Sequence, residues 1–581
     1  MTDRVNHPAV IQSPWDSTDS ALVAAVAVVG ALIRFWMLDQ ASLDHFDEGA
    51  YAISSLAVAN GEVPAGLYPF QHFLSPPMFF SASGLLMRLL GTTSGLVPLT
   101  LSATFGVATI VLIYAIARHW FDRATAIGAA ILLALSDFHI LYSRSGLTDV
   151  MFTFFLLAAI WLFGLADSRN SPRFAILAGV AAGFAWNTKY HGWLVLVIAA
   201  VALLPLLLNG ERLLNTERLL SGERPLAGGR KKFVSAASRL CVAAGIAVLM
   251  YIPWLIYVSA QEGGYARLVG EHASFLRPLE FFSSAIAQAQ FQGYFDGWLS
   301  RAALSIAMAA VLFLGGYWRD HRFKTGLWII VSAVVGLGFG GPASVTVLAL
   351  IGCREMLKQN SPDRGLLLAC FLIFSILTPL YHPYSRLLLP WACCSFLLAG
   401  AGLKAVLDRC FADARGFDNW RREIRVATLL VVAGAAAFWL RGQPASRPGR
   451  AHEGLREAAA KIAETLPRSA QVAVLGEPGL VFYLKRLGYA ARFEMPGRLD
   501  KHFQPGDQFH LIAGIYSRRA KAWSRWMERH PGAAREVGRV SADVNDIRLL
   551  DDFRPRQARE YRRGARDDYL LQVYLVRMPE P

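Results

Sequence analysis

The chain has 581 residues, 54% of them hydrophobic and only 17% charged, a composition that excludes an ordinary soluble protein. The +15 net charge invites a nucleic-acid partner, but Lys and Arg gather in the cytoplasmic loops of membrane proteins for topological reasons, and no nucleic acid is expected. The six cysteines (Cys241, Cys353, Cys370, Cys393, Cys394 and Cys410) lie in or beside apolar runs without a CxxC pair, so neither disulfides nor a thiolate metal site is expected.

In chain order, apolar runs of helical length fall at 20–38, 97–117, 124–141, 149–166, 174–190, 192–208, 236–258, 299–317, 325–340, 343–357, 365–381, 386–407 and 424–441. They predict an α-helical polytopic membrane protein with about thirteen transmembrane helices, preceded by a cytoplasmic segment, 1–19. The first run has no small-residue cleavage site and reads as an uncleaved anchor. Residues 76–91 open on Pro76-Pro77 and contain Arg88, which suits a helix lying in the membrane interface within a first outer loop, 39–95. With the N-terminus inside, Lys and Arg favour the cytoplasmic loops by roughly three to one, which sets the orientation in a plasma (inner) membrane.

Past residue 441 the pattern changes. Gln443 to Gly449 reads as a linker. Predicted helices at 453–466, 480–487 and 518–530 then alternate with strands at 472–475, 510–515 and 569–576. Residues 442–581 should therefore form a small α/β domain, placed on the extracytoplasmic side by the odd number of spans.

This topology gathers charged residues on one side. In Asp44-His45-Phe46-Asp47-Glu48-Gly49-Ala50-Tyr51, three carboxylates crowd a membrane boundary, where they are costly unless something uses them. Asp47 and Glu48 are adjacent and must point differently, so one can face a substrate while the other holds the loop. A plainer reading makes Asp44 or Asp47 the cap of a helix beginning near Gly49. Asp149 opens the fourth span, where it is either an N-cap or a second working carboxylate. Lys189 at the end of the fifth span either snorkels or binds an anion. Arg386 begins an apolar run, where the helix dipole gains nothing from a cation, and this favours an anionic partner. The histidines make no HxxxH or HExxH pair, and no Walker loop, GxGxxG unit or GxSxG elbow is present. No metal or other cofactor is expected, and catalysis should survive chelation.

Carboxylates and cations at an outer membrane face suit sugar transfer from a polyprenyl phosphate. A carboxylate takes the acceptor's proton, and cations stabilise the departing phosphate. The residues also carry a resemblance. Asp47-Glu48 resembles the Asp-Glu motif of GT-C glycosyltransferases, especially the protein O-mannosyltransferase and lipid A aminoarabinose transferase superfamily. Ser75-Pro76-Pro77-Met78 resembles its Pro-Pro-Leu segment, and Arg144 to Asp149 its second-loop Arg…Asp. Thr188-Lys189 and Tyr384-Ser385-Arg386-Leu387-Leu388-Leu389-Pro390 resemble two later signatures. The resemblance covers roughly residues 20–400. It departs at Tyr190, where a Gly is usual, and it leaves the tail without a counterpart. It implies a GT-C core with Asp47, Glu48 and Asp149 as the catalytic set and Asp47 as base. Lys189, Arg386, Arg144, Tyr51, His382 and Tyr384 are the expected substrate-binding set. The implied partners are membrane lipid, a polyprenyl-phosphate-linked sugar and a lipid, glycan or protein acceptor. The rival readings are a transporter or flippase of a lipid-linked substrate, and a non-catalytic envelope assembly protein.

Overall fold

The structure is a computed structural model. It describes residues 15–579 apart from 65–74, 216–226, 359–361, 413–453, 563–568 and the single positions 262, 296, 321, 340, 515, 516, 519 and 553. The 424–441 span and the linker after it lie outside the described residues.

Helix α1 (Ser17–Phe35) is followed by two short helices of the 39–95 segment, α2 (Phe46–Ala59) and α3 (Met78–Leu89). The bundle continues with α4 (Leu96–Trp120), α5 (Arg123–Ala134), α6 (Asp137–Ser143), α7 (Asp149–Ser168), α8 (Pro172–Thr188), α9 (Leu194–Asn215) and α10 (Ala227–Ser259). Next come α11 (Gly264–Ala273), α12 (Phe281–Tyr294), α13 (Trp298–Leu314), α14 (Tyr317–Asp320), α15 (Arg322–Phe339), α16 (Gly341–Lys358), α17 (Pro362–Leu377) and α18 (Leu389–Ala412). Every predicted span within the described residues thus coincides with helix, and α3 is the short helix expected after Pro76-Pro77. By length and apolarity five described helices are fit to cross a membrane, at 17–40, 96–120, 149–168, 233–259 and 385–411.

The 124–141 segment is not one straight helix. It breaks between α5 and α6 with a bend of 62°. The cause is polar: the Ser136 hydroxyl caps α6 by accepting the His139 N–H at 3.3 Å. Arg34 of α1, fully buried, donates to the freed Ala134 and Leu133 carbonyls at 3.1 and 3.4 Å. A second bend, of 81°, separates 278–294 from 299–314.

Small residues let the helices approach closely. A Cβ on Gly352 of α16 would lie 2.0 Å from the Leu398 carbonyl oxygen, and one on Gly402 of α18 would lie 2.0 Å from that of Leu348. At the end of the bundle away from α2, buried Asp19 accepts from Tyr114, Arg118 and Arg123 at 2.8, 2.9 and 3.0 Å, pinning α1 to α4 and α5.

The C-terminal domain holds α19 (Gly454–Thr465), α20 (Pro478–Arg486), α21 (Lys521–Arg529), α22 (Asp546–Asp552) and α23 (Pro555–Arg562). Its strands are β1 (Gln471–Leu475), β2 (Ala490–Glu494), β3 (Gln508–Ala513), β4 (Ala534–Ser541) and β5 (Leu570–Arg577), in sheet order β2-β1-β3-β5-β4. The first three strands run parallel, and β5 is antiparallel to both β3 and β4. The sequence pattern finds β1, β3 and β5 but not β2 or β4. Strand β4 is largely exposed on both faces and so lacks the alternation that marks a strand. One apolar core runs unbroken from the helical bundle through Leu43 and Tyr51 into Leu455, Val474 and Phe482 of this domain.

Candidate active site

The site grows from the start of α2. His45, rather than Asp44 or Asp47, is the N-cap: its Nδ1 accepts the Asp47 N–H at 3.0 Å. Glu48 closes the box by accepting the His45 N–H at 2.9 Å. With the helix start fixed this way, Asp47 and Glu48 diverge. Glu48 is wholly buried, and it also takes the Asp44 N–H at 3.0 Å and, across to the loop between α6 and α7, the Gly146 N–H at 2.6 Å. Burial pushes its carboxyl up to about 7, against the pull of its backbone N–H donors. Glu48 is the residue that holds the loops together.

Asp47 points the other way and forms an ion pair with Arg386. Arg386 sits in the 3₁₀ turn Ser385–Leu388 ahead of α18, with its guanidinium 5.0 Å from the Tyr384 ring centroid. His382 in turn packs edge-on against Tyr384 at 4.5 Å. The turn is anchored from α6 by a 2.5 Å hydrogen bond between Tyr142 and Ser385.

Asp149 is the first residue of α7, after Thr148 in the cap position, so its carboxylate is not the N-cap. It pairs instead with Lys189. Its Oδ2 is buried and has no hydrogen-bond partner among the described residues. Lys189 ends α8 in extended backbone, and its side chain is only 15% exposed, so it does not snorkel. Tyr51, one turn after Asp47, is 4% exposed and lies in the field of Asp47, Arg386 and Asp149. Lys189 likewise feels Asp149, Arg386 and Asp47. The two carboxylate–cation pairs therefore form one cluster, drawn from four separate parts of the chain.

Arg144 stands apart. Its Nη1 donates to the carbonyls of Trp36, Arg34 and Ile33 at 2.7, 2.9 and 3.3 Å, closing the C-terminal end of α1. Sequence reasoning overlooked His45 as a cap. It offered Asp44 as a cap, whereas Asp44 accepts the Leu455 and Asn545 N–H groups at 3.0 and 2.7 Å. Nothing local in the sequence marks those partners, which lie more than four hundred residues away. Among the described residues no group of three or more His, Cys, Asp or Glu side chains is placed to hold a metal ion. An apolar cavity lined by Leu132, Phe138, Phe295, Val345, Trp391 and Phe396 borders the first turns of α18 beyond Arg386.

Residues 75–221 match the family model described as dolichyl-phosphate-mannose-protein mannosyltransferase. No curated protein sequence is significantly similar to the chain. Among solved structures, ArnT from Cupriavidus metallidurans bound to undecaprenyl phosphate superposes with a TM-score of 0.53 at 15% identity, covering 96% of this chain and 98% of that one. The archaeal oligosaccharyltransferase AglB from Archaeoglobus fulgidus, in complex with an inhibitory peptide and a dolichol-phosphate, gives a TM-score of 0.52 at 14% identity, over 88% of this chain and 71% of that one. The matched segment contains the α3 region, Asp149 and Lys189, and the fold around it extends over the whole bundle and the tail. The chain shares the fold of these two proteins, and its residues 75–221 are similar to the mannosyltransferase family model.

Proposed function

We propose that the protein moves a sugar from a polyprenyl-phosphate donor to an acceptor hydroxyl or phosphate, with inversion, at the extracytoplasmic face of the plasma membrane. The observation that carries this reading is the pairing of Asp47 with Arg386 and of Asp149 with Lys189 in one largely buried cluster. Each cation is held by a carboxylate that a phosphate can displace. When the donor phosphate arrives, Arg386 grips it with two N–H groups and Lys189 adds a point charge. Asp47 is thereby released from its partner and left facing the acceptor.

In the transfer step the acceptor oxygen attacks the anomeric carbon and gives its proton to Asp47. The bond from that carbon to the phosphate oxygen breaks, and the phosphate keeps the electron pair. Charge builds on the phosphate in a site screened poorly by water, where fixed cations stabilise it most. The orphaned Asp149 Oδ2 is suited to accept a sugar or acceptor hydroxyl. The cavity beyond Arg386 is apolar enough to take part of the isoprenoid chain. Arg144, committed to the end of α1, has no part in this scheme, and no step in it requires a metal ion.

The test is donor affinity and turnover for Arg386→Lys and Lys189→Ala, beside the control Arg88→Ala. Arg386→Lys keeps its charge but loses the fork, and it should be strongly impaired. Lys189→Ala should lose both affinity and turnover, each variant forfeiting about 2–4 kcal/mol of transition-state stabilisation. If both behave like the control, the phosphate is bound elsewhere.

A further inference from the structure

The residues flanking Asp47 are held from outside the bundle. Asp44, three positions earlier, is wholly buried and uses both carboxylate oxygens on the C-terminal domain. Oδ1 accepts the Leu455 N–H at the start of α19 at 3.0 Å, and Oδ2 accepts the Asn545 N–H just ahead of α22 at 2.7 Å. One position after Asp47, Glu48 has the Asn545 amide nitrogen at 3.5 Å. Next, a Cβ on Gly49 would lie 2.0 Å from the Gly479 nitrogen, so the backbones of α2 and α20 are in direct contact. Asp47 therefore sits between positions gripped by the domain on both sides, while its own carboxylate faces Arg386.

The same corner of the domain reaches the other half of the pair. Asp546, the neighbour of Asn545, accepts the Tyr294 hydroxyl of α12 at 2.9 Å and the Arg562 Nε at 2.7 Å. Helix α12 packs against the turn that leads to Arg386, where Gln288 donates to the Thr378 carbonyl at 3.1 Å. Residues 545 and 546 thus span from the Asp47 loop to the element that braces the Arg386 loop.

We infer that the C-terminal domain is a working part of the active site, with Asn545 and Asp546 acting as positioning residues that set the spacing of Asp47 and Arg386 through Asp44 and Tyr294. The inference rests on the reading of Asp47 and Arg386 given above. Misplacement of reacting groups by about an ångström from a distant change costs on the order of a hundredfold in rate.

The experiment uses the full chain carrying Asp44→Asn or Tyr294→Phe. Asp44→Asn keeps its shape but cannot accept both N–H groups through its amide nitrogen. Tyr294→Phe loses only the hydroxyl that Asp546 accepts. A third variant, Trp526→Phe, breaks the 2.6 Å bond to Asp500 deep in the same domain without touching the bridge. For each variant, kcat, donor affinity and the thermal midpoint are measured. The expected result is a fall in kcat of about tenfold or more in the two bridge variants, with donor affinity within about twofold, while Trp526→Phe keeps its kcat at an equal or larger loss of thermal midpoint. Should Asp44→Asn not fold, Tyr294→Phe and Trp526→Phe still make the comparison. Unchanged kcat in the bridge variants, or kcat that merely follows thermal midpoint across the variants, overturns the inference. If Asp47→Asn and Arg386→Lys are inactive while the bridge variants are normal, only the domain's role falls. If Asp47→Asn and Arg386→Lys are also normal, the reading of the site falls with it.

Discussion

Among single residues, Asp47 and Glu48 show what adjacency on a helix does. Neighbours on a helix point about 100° apart, so only one of the two can face the cations while the other turns inward. That much was legible in the sequence. Which one turned inward depended on His45 taking the cap and on the Gly146 N–H arriving from the loop between α6 and α7, and no local pattern announces either. The pairing of Asp149 with Lys189 was hidden for the same reason, because residues forty positions apart meet only after α7 and α8 pack. Glu48 yields a pH prediction. Its carboxyl is raised to about 7 in the fold, so the folded protein holds a proton that the unfolded chain gives up above its ordinary, lower pKa. The folded state then binds more protons than the unfolded one across that window, and stability should fall as pH rises from about 4.5 to about 7. Glu48→Gln should flatten this slope. Thermal midpoints of both proteins across that range decide it, and equal slopes would count against the assignment.

At the scale of elements, the described helices of the bundle were readable because long apolar runs leave a strong signal. The α5–α6 break was not, since Ser136, Asp137 and His139 are a short polar interruption in an apolar stretch. Arg34, which stabilises the broken end, comes from a hundred positions away. The contact of α2 with α20 was equally invisible, since it depends on Gly49 and Gly479 meeting without side chains between them. Gly49→Ala would put a methyl group where the Gly479 backbone lies. Overpacking of this kind costs about 1–3 kcal/mol. A lowered thermal midpoint, with easier proteolytic release of the C-terminal domain, is expected. A variant as stable and as protease-resistant as the parent would contradict this account of the packing.

Across the whole molecule, the bundle places Asp44, Asp47, Asp149, Lys189 and Arg386 at one end, and the C-terminal domain covers that end through the Asp44 hydrogen bonds. The sequence led to the same grouping by counting spans and charges. The packing adds that the domain, hydrogen-bonded through Asp44 to the 39–95 loop, shares that loop's side, which we propose to be extracytoplasmic. A reporter fused at Ser446 should therefore be active only in the extracytoplasmic format. Activity in the cytoplasmic format would invert the proposed topology.

The central claim is that Asp47 removes the acceptor's proton after the donor phosphate has drawn Arg386 away from it. The most direct measurement is turnover and donor affinity for Asp47→Asn. Loss of a general base should lower turnover by about 10²–10⁴-fold. Donor affinity should hold or improve, because the phosphate no longer competes with a carboxylate for Arg386. Near-normal turnover in Asp47→Asn, or turnover and donor binding lost together, would contradict the account.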